Sequence, residues 1–442
     1  MRVLIISQEV WQNGTNGGNV LTNMFTGTGF ELAQIYCSPG APENDLCEKY
    51  YQITDSMVLH GFLKRKPVGR AFEITQNKTS EKRSKPEKPN KKFYNFFHSF
   101  RLNVFYTART AVWNLSNWKN TELNEFIKSF APDIIFAPCY GNTFMLRLTR
   151  YAARLTGKRV ISYIYDDSYT LKQFNLSPFY WINRFAVRRG LRKTFPVYSL
   201  VYTMTEAQKQ QCERDFGADM KILLKSVSFG YIPEKTSVMQ PIRLVYAGGI
   251  YLNRWKTLLK TANAIKKINA NGIKLRLDIY TANKLPERAK ALNDGVNSFV
   301  HSPVSQDELK SIYHNSDIAM HTESFDLKNR LVVRMSFSTK IVDCLSSGCA
   351  VMAICDKKQG GYAYLKENNA ALCIDSKQEI YRVLEKITCN NNIILDYAKK
   401  AKECCLLNHN KEKITNMVVT DFERIANEGF TDKCSQRQRQ HG

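Results

Sequence analysis

An apolar strand, a glycine loop and an amphipathic helix follow one another twice in this chain of 442 residues. The first copy is RVLIIS, then QEVWQNGTNGGNV, with Gly14, Gly17 and Gly18 ahead of a helix expected from about Asn19. The second is IRLVYA, then Gly248-Gly249 and a helix with Arg254 before its apolar stripe. Glycine lets a backbone come close to a ligand, and a helix N-terminus favours anions. The first loop does not have the G-x-G-x-x-G spacing of a dinucleotide fingerprint, so a plain flexible turn stays open there. Strands and helices alternate through the rest of the chain: FELAQIYCS, APDIIFAP, RVISYIYDD, VYSLVYT, LRLDIYT and CAVMAI all read as buried strands. That alternation predicts α/β architecture with parallel sheets, and the repeated opening predicts two Rossmann-like domains facing each other across a cleft. The expected limits are 1–238 for the first and 239–395 for the second. A C-terminal helical segment at 396–428 and a disordered tail at 429–442 follow.

The most informative single stretch is Asp317 to Ile354, DIAMHTESFDLKNRLVVRMSFSTKIVDCLSSGCAVMAI. A short strand, Ile318 to Met320, leads through a polar loop to a helix that Ser338 and Thr339 should cap with their hydroxyls. Gly348 is placed for a left-handed C-cap. Lys340 and Asp343 share one face of that helix. A cation there would attract an anion, and an acid one turn on suits a neutral polyol such as ribose. A solvated surface ion pair is the competing reading. The adjacent acids Asp166 and Asp167 close the RVISYIYDD strand, at the end where open α/β sheets bind ligands.

The stretch resembles the donor-binding segment of group-1 (family 4-like) nucleotide-sugar glycosyltransferases of the GT-B fold. Their pattern K-x-x-E-x-L-a-x-G-x-P-V is matched by Lys340, Asp343, Leu345, Gly348 and Val351. Asp343 replaces the usual Glu, and Met335 stands where a first Glu is usual, eight residues earlier. Other segments are similar too. Gly17-Gly18 fall where the family has a G-G loop, Tyr165-Asp166 resembles its His-Asp strand end, and Arg254 falls on its Lys. The resemblance implies transfer of a sugar from a nucleoside-diphosphate sugar, without a metal or other cofactor. It also implies that the helical segment at 396–428 crosses back to the first domain. It implies donor binding by Gly248, Gly249, Arg254, His301, Val304, Ser338, Thr339, Lys340 and Asp343. Arg254 and Lys340 would neutralise the leaving diphosphate. His301 to Val304 would face the base, Asp343 would hold the ribose, and Gly17, Gly18 and Asp166 would shape the acceptor side, with Asp166 a possible base. His301 and His321 read as polar surface or strand-end histidines rather than catalytic ones. Met335 leaves retention or inversion undecided.

Charge adds a partner. The net charge is +24. Residues 60–119 hold 14 Lys/Arg against three Glu, and residues 168–205 hold six Lys/Arg and no acid. Both runs lie beside aromatics. Residues 75–92 read as a mobile basic linker. After it a stripe of Phe93, Phe97, Phe100, Val104, Ala108, Ala111, Leu115 and Trp118 marks a helix that is either core or membrane-surface. SPFYWINRFAVRRGLRKTF is a second aromatic, basic helix. These features predict an anionic membrane surface as partner, a glycan or lipid-linked acceptor, and a cytoplasmic protein at the inner face of the plasma membrane. Nothing matches a nucleic-acid-binding motif, so no nucleic acid is expected, although a basic nucleic-acid binder is one rival reading. A sugar-nucleotide epimerase or an inactive scaffold of the same fold is another, raised by Met335. The 12 cysteines are scattered without metal-ligand spacing and read as reduced thiols. The N-terminal apolar run VLII is too short for a signal peptide.

Overall fold

Every strand expected from the apolar runs is present in the computed structural model, which describes residues 1–13, 17–74, 103–227 and 232–428. The chain packs as two units. The first comprises Met1–Leu171, Asn175–Leu223 and Lys413 onward, and the second Lys172–Phe174 with Leu224–Glu412.

In the first unit the strands are β1 (Arg2–Ser7), β2 (Glu31–Tyr36), β3 (Lys49–Gln52), β4 (Arg70–Glu73), β5 (Ile134–Phe136), β6 (Val160–Ile164), β7 (Tyr198–Thr203) and β8 (Met220–Ile222). They form one sheet in the order β4-β3-β2-β1-β5-β6-β7-β8. All neighbours are parallel except β4, which runs antiparallel to β3 at the edge. The strands read as unbroken apolar runs because helices cover both faces. Those helices are α1 (Gly17–Phe25), α2 (Asp55–Lys64), α3 (Asn103–Leu115), α4 (Thr121–Phe130), α5 (Thr143–Thr156), α6 (Pro178–Thr194) and α7 (Glu206–Phe216).

The second unit has a six-stranded parallel sheet of β9 (Ile242–Ala247), β10 (Leu275–Tyr280), β11 (Ser298–His301), β12 (Ile318–Thr322), β13 (Ala350–Ile354) and β14 (Leu372–Ile374). Its order is β11-β10-β9-β12-β13-β14, so the winding reverses between β9 and β12. Its helices are α8 (Arg254–Ile268), α9 (Gln306–His314), α10 (Leu327–Val333), α11 (Lys340–Leu345), α12 (Gly360–Glu367), α13 (Glu379–Cys389) and α14 (Asn392–Asn408). Leu258, Ala262 and Ile265 of α8 share a core with Leu384 and Ile387 of α13.

The units change over at Leu223/Leu224, earlier than the 238/239 expected. Buried Asp317 is the reason. Its carboxylate accepts from the Met239 N–H at 3.1 Å and the Arg243 N–H at 2.8 Å, and pairs with Lys235 at 2.8 Å. That ties the lead-in segment to the second sheet. The expected crossing segment 396–428 is two helices. α14 stays in the second unit, and α15 (Lys411–Asn427) packs, from Lys413 on, in the first. Phe422 fills a space beside Phe25, Phe30 and Phe136, with ring centroids 5.4 to 5.9 Å away. Asp421 accepts from the Tyr202 hydroxyl and Lys221, both at 2.8 Å.

The aromatic stripe reads differently in three dimensions. Phe93, Phe97 and Phe100, like the linker 75–92 and the tail 429–442, lie outside the described residues. In α3 the face turned inward is Arg109, Val112 and Trp113, while Ala108, Ala111 and Leu115 are exposed, Leu115 at 70%. Trp118 is buried beyond the helix end, where it meets Tyr151 edge-on. Of the stripe positions whose burial is described, Trp118 alone is buried, and it joins the core with Trp113, which lies outside the stripe.

Candidate functional site

Four strand ends line up at the carboxyl edge of the second sheet: β11, β10, β9 and β12. The reversal between β9 and β12 splays the loops there, the usual place for a ligand in an open α/β sheet. Gly248 follows β9 and has φ of +149°. A Cβ built on it would collide with the Lys340 Nζ, so only glycine lets that side chain lie across the loop. Gly249 is pressed likewise against the Tyr251 ring, and its carbonyl accepts from the Tyr246 hydroxyl at 2.7 Å.

Lys340 is the most unusual charge in the site. Its ammonium stands 5.4 Å from the Tyr246 ring centroid, and it has no hydrogen-bond or ion-pair partner among the described residues. Burial, then repulsion from Arg254, pull its pKa down to about 8. The charges of Glu323 and Asp343 offset this only in part, so the half-buried cation remains costly, and an anionic ligand would reduce that cost.

Arg254 is different. Its Nε and Nη2 donate to Glu323 at 2.8 and 2.7 Å, a two-point pair with both side chains almost wholly buried. Burial works against the guanidinium charge, but the hydrogen bonds and charge of Glu323 outweigh it and hold the pKa above the ordinary arginine value. Thr257 of α8 donates to the Glu323 carbonyl at 2.8 Å, and Tyr251 lies under the guanidinium at 4.7 Å. Asp326 then holds Asn253 at 2.7 Å and Lys256 at 2.8 Å, fixing the start of α8.

His321, expected at the surface or a strand end, is buried inside β12. Its Nε2 has no partner among the described residues. Burial, with Arg254 and Lys340 nearby, lowers its pKa to about 3, so the ring is neutral at ordinary pH.

α11 is only six residues long, too short for its field to matter much, so attraction for an anion there rests on Lys340 itself. Neither Ser338 nor Thr339 caps it with a hydroxyl. Thr339 has helical backbone angles, and tight turns from the Ser338 and Thr339 carbonyls start the helix instead. Gly348 is left-handed as expected, with φ of +81°, and a Cβ there would meet Pro233 at 2.8 Å. Asp343 is half-exposed, with Oδ1 taken by Lys225 at 2.6 Å. Its Oδ2 keeps no partner among the described residues. Met335, at the place of the missing Glu, is buried.

At the other end of the row, His301 stacks on Tyr280 at 4.6 Å, and its Nε2 bonds the Asp278 carboxylate at 2.7 Å. Asp278 is itself held two-point by Arg276. Val304 is half-buried just beyond, before the Ser305–Glu308 capping box of α9. The structure thus gathers Gly248, Gly249, Arg254, His301, Val304, Ser338, Thr339, Lys340 and Asp343 in the second unit. Gly17 and Gly18, which begin α1, and Asp166, exposed in the turn after β6, belong to the first. Asp167, not Asp166, is the buried acid of that turn; it accepts from Thr170 and pairs with Arg184 at 3.0 Å.

Sequence reading missed Glu323 and Lys225. Glu323 had a signal, an acid one residue past a buried strand at the winding reversal. Lys225 had none, because 118 residues separate it from Asp343. Among the described residues no group of three or more His, Cys, Asp or Glu side chains could hold a metal ion.

No family model matches the chain, and no curated protein does either. Solved structures do resemble it. Anabaena HepE in complex with UDP shares 12% identity at a TM-score of 0.60, covering 96% of this chain and 100% of that one. A pneumococcal O-GlcNAc transferase, GtfA, in complex with UDP and GlcNAc shares 9% at a TM-score of 0.59, covering 97% and 99%. A mutant of S. aureus TarM, in complex with Fondaparinux, alpha-GlcNAc-glycerol and UDP, shares 11% at 0.59, covering 97% and 100%. With nearly full coverage on both sides, and two Rossmann-like parallel sheets in one chain, this protein has the GT-B fold.

Proposed function

We propose that the protein transfers a sugar from a nucleoside-diphosphate sugar to a glycan or lipid-linked acceptor, in surface-glycan or glycolipid assembly. The observation that carries this reading is Lys340, a half-buried ammonium with no ion-pair partner among the described residues, where the winding of the second sheet reverses. Bound UDP in solved structures of the same fold supports a nucleoside diphosphate as the anion. In the reaction the bond from the sugar C1 to the diphosphate oxygen breaks and a bond from C1 to the acceptor oxygen forms. Negative charge grows on the departing diphosphate, and a preorganised cation stabilises it most at that moment. Lys340 supplies that charge. Arg254, half-neutralised by Glu323, presents its remaining N–H groups. Asp343 takes the ribose through Oδ2, His301 and Val304 flank the base, and the protein's own cations do the neutralising without a metal. Asp166 and the Gly17-Gly18 loop lie on the acceptor side, with Asp166 as base for the acceptor hydroxyl.

The test is a panel of UDP-, GDP- and ADP-sugars, scored by protection against thermal unfolding and by nucleotide release. Protection by one nucleotide class is expected, with release that rises when acceptor is supplied. No protection by any of them would exclude this function.

The same reading includes peripheral membrane association through the first unit. On α6 the side chains Phe179, Ile182 and Phe185 recur at helical spacing and are 42–55% exposed, beside exposed Arg189, Arg192 and Lys193. An apolar stripe flanked by cations suits an anionic bilayer surface, where each cation contributes roughly 1 kcal/mol. No helix among the described residues is long and apolar enough to cross a membrane.

A further inference from the structure

The first unit holds a cavity of about 220 Å³ between α3, the first turn of α5 and α6. Two arginines, Arg109 and Arg184, line it, and no Asp or Glu does. Their carboxylate partners stand outside the lining. Arg184 is nearly spent: its guanidinium donates to Asp167 at 2.9 and 3.0 Å and to the Thr170 carbonyl at 2.6 and 3.0 Å. Arg109 is not. Only its Nε is engaged, with Asp55 at 2.8 Å, while its guanidinium lies 4.8 Å from the Phe144 ring centroid. Its two Nη groups have no partner among the described residues.

Two more groups of donors belong to residues of the same lining. The Thr143 hydroxyl is buried without a partner. It begins the 14-residue α5, whose N-cap Asn142 leaves the first-turn N–H groups uncapped, because its side chain donates to Gln8 at 2.6 Å instead. A ring-braced guanidinium fork, a lone hydroxyl and open helix N–H groups all donate. Together they describe an oxyanion with several acceptors.

We propose that this cavity binds the phosphate of a phosphorylated ligand. Its volume lies below the roughly 300 Å³ at which pockets begin to enclose drug-sized ligands, which favours a phosphate with at most one small group over a nucleotide. The ligand is then not a second donor. If the proposed transfer is right, the phosphate belongs to the acceptor, either a soluble sugar or polyol phosphate or a phospholipid headgroup. The inference rests on that reading for this last point only.

The experiment titrates the full chain with glycerol 3-phosphate and inorganic phosphate by calorimetry, and with phosphatidylglycerol in phosphatidylcholine vesicles by flotation. UDP binding is measured alongside. Arg109→Gln is expected to weaken phosphate binding at least tenfold and leave UDP binding unchanged. Arg109→Lys, which keeps charge but loses the fork, and Thr143→Val, whose hydroxyl has no partner to lose, should each weaken it severalfold. These two decide the matter if Arg109→Gln fails to fold. Arg109-dependent binding of the free phosphates identifies a soluble ligand. Arg109-dependent binding to vesicles alone identifies a headgroup. Either supports the site. Binding unaffected by Arg109→Lys and Thr143→Val, or no phosphate binding by a protein that binds UDP, overturns it without touching the donor reading. Phosphate binding that needs Arg109 in a protein that ignores all nucleotides would keep the site and remove the transferase.

Discussion

Residues in the proposed donor region divide into those that hold the local structure and those left open for a ligand. Arg254 and Glu323 hold it. Removing one member of a buried pair strands the other charge, so Glu323→Ala should cost roughly 3–5 kcal/mol of stability. Glu323→Gln retains a hydrogen bond to Arg254 and should cost less, so chemical denaturation of both variants separates charge from shape. Asp343 is left partly open. If its Oδ2 takes a ribose hydroxyl, Asp343→Ala loses one charge-assisted bond, roughly 1.5–3 kcal/mol, or about a tenfold to hundredfold loss of nucleotide affinity. An exposed Lys225–Asp343 pair with no ligand role would change stability by at most about 1 kcal/mol and affinity not at all. Part of the local geometry was legible in the sequence. Spacing and resemblance single out Lys340 and Asp343 as the candidates proposed above, and the left-handed Gly348 was legible from its place after an apolar helix. Glu323 and Lys225 did not, because a long-range partner leaves no local pattern.

At the scale of elements, β12 and the segment after α14 carry an acid-sensitive feature. His321 in β12 has its pKa lowered to about 3, and His409, buried after α14 and bonded to Tyr364 at 2.9 Å, has its pKa lowered to about 4, both chiefly by burial. Unfolded histidine takes up a proton near pH 6.5 and these do not, so the unfolded state binds more protons between that pH and the folded values. Stability is therefore full above about pH 6.5 and lost as the pH falls. From pH 6.5 to 5 each contributes a loss of about 2 kcal/mol. Melts at pH 7 and pH 5 should show this, and His409→Gln should flatten the difference. In the first unit, α6 was legible as aromatic and basic, and its exposed stripe forecasts flotation with anionic vesicles that fades as salt rises. Recovery in the soluble fraction with and without anionic lipid would remove that role. Periodicity counts apolar positions without weighing size, so within the described part of the stripe the large Trp118 is buried, beside Trp113, while Ala108, Ala111 and Leu115 are exposed.

For the whole molecule, two largely parallel α/β sheets were foreseeable from two strand–glycine–helix openings, while the strand order within each was not. Where the units change over was not, since that depends on a buried acid, Asp317, gathering a segment that looks like a linker. The return of α15 to the first unit depends likewise on Phe422 and Asp421, which no local pattern singles out. The architecture also explains why the site can tolerate a destabilising charge. The second unit has an extensive apolar core, so the protein can keep Lys340 protonated, half-buried and without an ion-pair partner among the described residues at a cost, and the proposed diphosphate would relieve that cost.

Lys340→Met tests this directly. The folded pKa of Lys340, about 8, lies below its ordinary value of 10.5, so at pH 7 its charge opposes folding by roughly 2–3 kcal/mol. Removing it should raise the melting temperature of the ligand-free protein by several degrees, while kcat for sugar transfer or nucleotide release falls on the order of 10²-fold. In the unmutated protein, affinity for the nucleoside diphosphate should fall as pH rises through about 8, and the variant should lack that step. A Lys340→Met protein that is less stable, turns over normally and binds nucleotide as before would contradict the account.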